Sequence, residues 1–145
     1  MHQSGEVRPD CRKREYAGLI VRERDEALIR SVTAHKAVWR WIAQTDEVID
    51  YTIPDGVWYS LLDDGHKVGF LAFLPEDGFT SVHIGVLPEH RGKWIEGAVL
   101  AAIDEQEGRL KVRVRNQRAY ALAYRVGFRR TGEDAEGWID MEFHG

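Results

Sequence analysis

Cysteine is almost missing from this 145-residue chain. Its one thiol, Cys11, cannot close a disulfide within the chain and offers no metal site of the usual cysteine spacing. No metal centre is expected. Long apolar runs are missing as well, since no stretch nears the ~20 residues that a membrane helix needs. Nothing is expected to span a bilayer. The opening stretch MHQSGEVRPDCRKRE lacks the apolar centre of a secretory signal, so residues 1–14 read as a flexible arm or docking tail. A cytoplasmic setting is the expectation. Internal repeats, low-complexity tracts and linkers are also lacking, and residues 15–145 are expected to form one domain with a core of its own.

Acidic residues are missing from one stretch in particular. Between Arg109 and Arg130 there are eight basic residues and no acidic one, on a chain whose net charge is −4. That asymmetry suggests an anionic partner on one face. Nucleic acid is a poor fit to it, because the whole chain is acidic and no aromatic side chains interleave the basic row.

The segments that are present alternate between strand and helix patterns. Glu15 to Arg24 has a short apolar centre and reads as a first strand, and Asp25 and Glu26 then mark a helix start. A second amphipathic helix is expected over 35–44, with Ala37, Val38, Trp41 and Ile42 on one face and Trp39 turned away from it. VWYSLL and KVGFLAFL flank an Asp-Gly turn, which predicts a hairpin, and FTSVHIGVL follows another turn at 76–78 as a third strand. Ile95, Ala98, Val99, Ala102 and Ile103 recur at helical spacing, with Gly108 as the expected C-cap. LKVRVR alternates, with Leu110, Val112 and Val114 inward and Lys111, Arg113 and Arg115 outward. Asn116 reads as the N-cap of a helix ending at Gly127, and WIDMEF closes the chain as a strand. The fold class is therefore α+β: a mixed, mostly antiparallel sheet of six to seven strands, flanked by about four helices.

Two motifs in this order resemble the GNAT acyltransferase superfamily. One is the strand, turn and helix from Val82 to Leu100, containing LPEHRGK. The other is the segment from Asn116 to Phe128 with its terminal Gly-Phe. The resemblance covers roughly residues 15 to 143, and the wording VHIGVLPEHRGK also resembles small GNAT-like proteins of tailed bacteriophages. For a phage protein the setting would be host cytoplasm or virion.

The resemblance implies acetyl-CoA as co-substrate, lying where the strand ending near Leu87 splays from the one starting near Leu110. The backbone of Ile84, Gly85 and Val86 would pair with the pantetheine. Arg91, Gly92, Lys93, Trp94 and Ile95 would hold the pyrophosphate at the helix start, and Asn116 belongs to the cofactor side. Transfer to an amine acceptor, on a small molecule or a protein, needs a base and a proton donor for the departing thiolate. His83 is the candidate base and Tyr124 the candidate acid. A protein partner or a second copy of the chain is a further expected contact.

The sequence departs from the family pattern at three places. Trp94 and Glu96 stand at the two glycine positions of the turn, and Ala123 stands seven residues after Asn116 where the family often has tyrosine. Trp94 there caps the diphosphate, stacks on the adenine or fills the phosphate site. Glu96 puts a carboxylate in the first helical turn, where it satisfies the helix dipole and repels a second anion. These departures support a rival reading: a catalytically degenerate GNAT-fold phage protein with a structural or host-protein-binding role.

Overall fold

A computed structural model describes residues 19–35 and 52–144. The expected arm at 1–14, Cys11, and the expected second helix beyond His35, with Trp39 and Trp41, lie outside the described residues. No described helix is long and apolar enough to cross a membrane.

The chain enters as strand β1 (Ile20–Arg22) and turns into helix α1 (Glu26–Thr33). Asp25 starts that helix by accepting a hydrogen bond from the Leu28 N–H on Oδ1 at 3.1 Å. Three antiparallel strands follow: β2 (Val57–Asp63), β3 (His66–Pro75) and β4 (Thr80–Val86). The β2–β3 hairpin closes through Asp64 and Gly65, both at positive φ (52° and 80°), the conformation that a two-residue turn of this hand demands. A short 3-10 turn (Pro88–His90) then leads through Arg91 to Lys93 into α2 (Trp94–Ile103). Strand β5 (Leu110–Val114), helix α3 (Gln117–Val126), β6 (Phe128–Glu133) and β7 (Ile139–Phe143) complete the chain.

The sheet has seven strands in the order β1-β2-β3-β4-β5-β7-β6, and only the β4–β5 pair is parallel. With three helices among the described residues, this is the expected α+β class. Both faces of β3 are covered, which explains why it reads as a continuous apolar run rather than an alternating one. On one face Trp58, Phe70, Ala72 and Leu74 pack with Ile29 and Val32 of α1. On the other, Tyr59, Leu61, Leu71, Phe73, Val82 and Val86 pack with α2 and α3. Leu110 and Val114 are buried there and Val112 packs against the same core, so the alternation expected of β5 is the one observed.

Two helix ends behave differently. Helix α3 runs from Asn116, whose Oδ1 accepts the Ala119 N–H at 2.8 Å, to Gly127, left-handed at φ 118°, whose N–H returns to Ala123 and Tyr124 carbonyls. Helix α2 does not reach its expected cap. It ends at Ile103 with Asp104 as C-cap, and Gly108 at φ 84° instead turns the following loop into β5. The intervening residues stay near the sheet because the Tyr59 hydroxyl donates to Glu105 Oε1 at 2.7 Å and accepts from Gln106 Nε2 at 2.8 Å. Burial, then Glu105, pushes the Tyr59 hydroxyl up to about 12, so it remains a donor.

Candidate functional site

Strands β4 and β5 begin as neighbours and then part. Their ladder holds only Thr80 against Leu110 and Ser81 against Lys111, beyond which β4 runs on alone to Val86. The Thr80 N–H reaches the Arg109 carbonyl at 2.8 Å, so backbone alternation also turns the N–H and C=O groups of Val82, Ile84 and Val86 toward this opening. Gly85 differs from expectation. It pairs with Phe70 in the β3–β4 ladder, and the Leu87 N–H bonded to the Val68 carbonyl shows that this register spends Gly85's backbone groups on β3. Ile84 and Val86 keep theirs at the opening, and Val86 has its carbonyl taken by Arg91 Nε at 3.1 Å.

That hydrogen bond fixes the Arg91 guanidinium at the mouth of the splay. Partial loss of water, and then the like charge of Arg118, disfavour its protonated form relative to a free arginine; Glu89 opposes them. An arginine stays cationic through such a shift, so the consequence is a charge short of a counter-ion. Arg118 lies in the first turn of α3 and meets no carboxylate or aromatic ring among the described residues. The rest of its basic stretch does. Arg109 bonds Glu142, Arg113 bonds Asp134 and Asp140, and Arg130 bonds Glu133. Lys111 lies over the Phe79 ring, Arg115 over Trp138 and Arg129 over Tyr124. Arg125 donates to Glu96. Half of the basic stretch thus meets carboxylates, while Lys111, Arg115 and Arg129 keep their charge over aromatic rings. Arg118, beside Arg91, has neither kind of partner among the described residues.

Five amides of the turn were expected to face an anion, and the structure narrows the set to three. The Arg91 N–H bonds the Pro88 carbonyl and the Ile95 N–H the Gly92 carbonyl, each at 3.3 Å, because both ends of the turn take 3-10 geometry. Gly92, Lys93 and Trp94 keep N–H groups without a backbone partner among the described residues, as the first turn of a helix does. Trp94 does not swing free. Its indole N–H donates to the His90 carbonyl at 2.8 Å, and its ring packs on the core beside Gly92. His90 is held in turn by Asp63 Oδ2 at 3.0 Å from its Nδ1, which ties the turn to the β2–β3 hairpin. Glu96 is not an open charge either, since Arg125 Nε donates to its Oε2 at 3.0 Å.

His83 sits on β4 opposite Ala72, on the sheet face that carries α1. Solvent still reaches the side chain. Partial desolvation of the ring holds its pKa below the ordinary histidine value, and the Glu76 carboxylate pulls the other way. Its Nε2 is 2.9 Å from Ser81 Oγ, which is in turn 3.0 Å from Glu76 Oε2. Tyr124 stands half-exposed on α3, on the opposite face, with the Arg129 guanidinium 4.1 Å from its ring centroid. His83 and Tyr124 are therefore separated by the sheet. Ala123 is buried in the core, Tyr120 packs against it, and Asn116 spends its Oδ1 on capping α3. Among the described residues, no three potential metal ligands gather.

The site's supporting residues carried little sequence signal. Arg118 was one cation among eight, and nothing local in sequence links it to Arg91. Ser81 was legible only as the residue two before His83 on a strand, a spacing that puts both on one face.

Solved structures share this architecture. A domain from Methanocaldococcus jannaschii matches 86% of this chain and 96% of its own with a TM-score of 0.65, at 16% identity. The GNAT domain of S. lividans PAT matches 86% of this chain and 88% of its own with a TM-score of 0.61, at 12% identity. This chain has the GNAT fold. The Campylobacter jejuni N-acetyltransferase PseH, solved in complex with acetyl coenzyme A, also matches, over 60% of this chain and 66% of its own (TM-score 0.51, 16% identity). No family model and no curated protein matches the sequence.

Proposed function

We propose that this protein is an acetyl-CoA-dependent N-acetyltransferase that passes acetyl directly to the amine of a small molecule or protein. The observation that carries the reading is the parting of β4 from β5 after Ser81–Lys111, with Arg91 and the start of α2 at its mouth. Ile84 and Val86 would pair with the pantetheine as an added strand does, and the amides of Gly92, Lys93 and Trp94 would take the diphosphate with Arg91 and Arg118. Trp94 walls this site rather than filling it, because its indole N–H and ring are committed to His90 and the core.

In the reaction, the neutral amine attacks the thioester carbonyl, its proton passes to His83, the carbon–sulfur bond breaks and the CoA thiolate leaves. Tyr124 is the proposed proton donor to that thiolate, reaching it from the far side of the splay. A thiolate leaves readily, so the donor contributes less than the base. Release of free thiol from acetyl-CoA in the presence of primary amines tests the proposal. His83→Ala should cut turnover by ~10²–10⁴-fold, the usual weight of general-base catalysis, with acetyl-CoA affinity nearly unchanged. Wild-type turnover in that variant would remove His83 from the mechanism.

The second reading is a GNAT-fold protein without turnover, in a virion-associated or host-protein-binding role. Ala123, buried where a tyrosine would serve as acid, favours it. It predicts no thiol release with any amine.

A further inference from the structure

We propose that Ser81 and Glu76 are positioning residues that hold the His83 imidazole with Nε2 protonated and Nδ1 free to accept the proton of the incoming amine. The proposal rests on the acetyltransferase reading for its purpose, and on hydrogen-bond chemistry for its content. A serine hydroxyl has one hydrogen to give. An ionised carboxylate only accepts, so the 3.0 Å contact between Ser81 Oγ and Glu76 Oε2 spends that hydrogen on Glu76. Ser81 Oγ is also 3.4 Å from the Leu74 carbonyl, another group that only accepts. The 2.9 Å contact from Ser81 Oγ to His83 Nε2 then requires the ring to donate. Nδ1 is left as the ring's acceptor, and it has no partner among the described residues.

The backbone makes this arrangement rigid. Ser81 and His83 are alternate residues of β4 on one face, paired with Leu74 and Ala72 of β3, and Glu76 stands in the turn that joins the two strands. The Glu76 N–H bonds the Phe79 carbonyl at 2.9 Å, which closes that turn. Charged and titratable groups on the surrounding elements are Glu26 and Arg30 on α1, His66 and Lys67 on β3, Asp77 in the turn, and Lys111 and Arg113 on β5. Lys67 is bonded to Glu23 and Asp25, and Arg113 to Asp134 and Asp140. Glu76 is the one whose charge bears on the ring, and Lys111 is turned onto Phe79. Negative charge behind Nε2–H favours the imidazolium formed when Nδ1 takes a proton, so the pair orients the base and steadies its charged form.

Nitrogen-15 NMR of the His83 ring across pH tests this without any cofactor. The wild-type ring should hold one tautomer, protonated at Nε2, above its titration. Ser81→Ala should yield a mixture of tautomers, and Glu76→Gln should move the titration to lower pH, since it removes the attraction for the imidazolium. Ser81→Thr, which keeps the hydroxyl, should restore the wild-type pattern. In turnover assays, Ser81→Ala should lower kcat at an unchanged KM for acetyl-CoA. A wild-type ring protonated at Nδ1, or a titration and tautomer indifferent to both substitutions, would overturn the proposal even in an active enzyme. A chain with the expected ring behaviour but no turnover would instead count against the acetyltransferase reading alone.

Discussion

Glu96 illustrates how a residue's neighbours change the meaning of its charge. Alone in the first turn of α2 it would repel a diphosphate; bonded to Arg125 it brings a cation to the same turn. Exposed pairs of this kind contribute about 0–1 kcal/mol to stability. Glu96→Ala should therefore lower stability by no more than about that amount and tighten acetyl-CoA binding, because Arg125 is then free to face the phosphates. Weaker binding in that variant, measured by titration calorimetry, would show that Glu96 is needed to shape the turn. As the proposed base, His83 sets the expected pH dependence. A base works only when unprotonated, and desolvation holds the folded pKa of His83 below the ordinary histidine value. The rate of transfer should rise with pH through that depressed value and level off before the pH at which a free histidine finishes titrating. An acid limb above the ordinary histidine value would contradict the assignment. The types of both residues were plain in the sequence, but their partners were not: Arg125 is 29 residues from Glu96, and no local pattern encodes that contact.

At the scale of elements, legibility followed hydrogen-bonding locality. The Asp64-Gly65 hairpin, the Asn116 cap and the Gly127 stop all depend on residues within a few positions, and each stands where the sequence put it. Gly108 was misassigned because a left-handed glycine ends a helix or turns a loop equally well, and only the packing of Gln106 and Glu105 on Tyr59 decides between them. Gly127 has a second constraint beyond its φ of 118°, since a Cβ there would lie 2.8 Å from Phe143 Cε1. Gly127→Ala should cost more than the ~0.4–1 kcal/mol that such a change gains at a compatible site, and in the destabilising direction. Thermal unfolding of the variant checks this, and an unchanged or raised Tm would contradict it. The turn from Arg91 to Lys93 was legible as a helix start, whereas the loss of the Arg91 and Ile95 amides to 3-10 bonds was not. Those bonds arise from how tightly Pro88 and Gly92 fold the chain.

For the whole molecule, the spatial order of the strands was not legible at all, and the parting of β4 from β5 was expected through a family resemblance rather than from periodicity, which sees no tertiary neighbours. The fold bears out that expectation and narrows another, because Arg109, Arg113 and Arg130 of the basic stretch meet counter-charges on β6, β7 and the loop between them. At the mouth of the splay Arg91 and Arg118 stay positive without a carboxylate partner among the described residues. The central claim is that this mouth holds the diphosphate of acetyl-CoA. Titration calorimetry of acetyl-CoA into the wild-type protein and Arg91→Glu measures it directly. Saturable binding at one site per chain, strongly weakened by the charge reversal, is the predicted result. No binding by the wild-type protein, or equal affinity in Arg91→Glu, would contradict it.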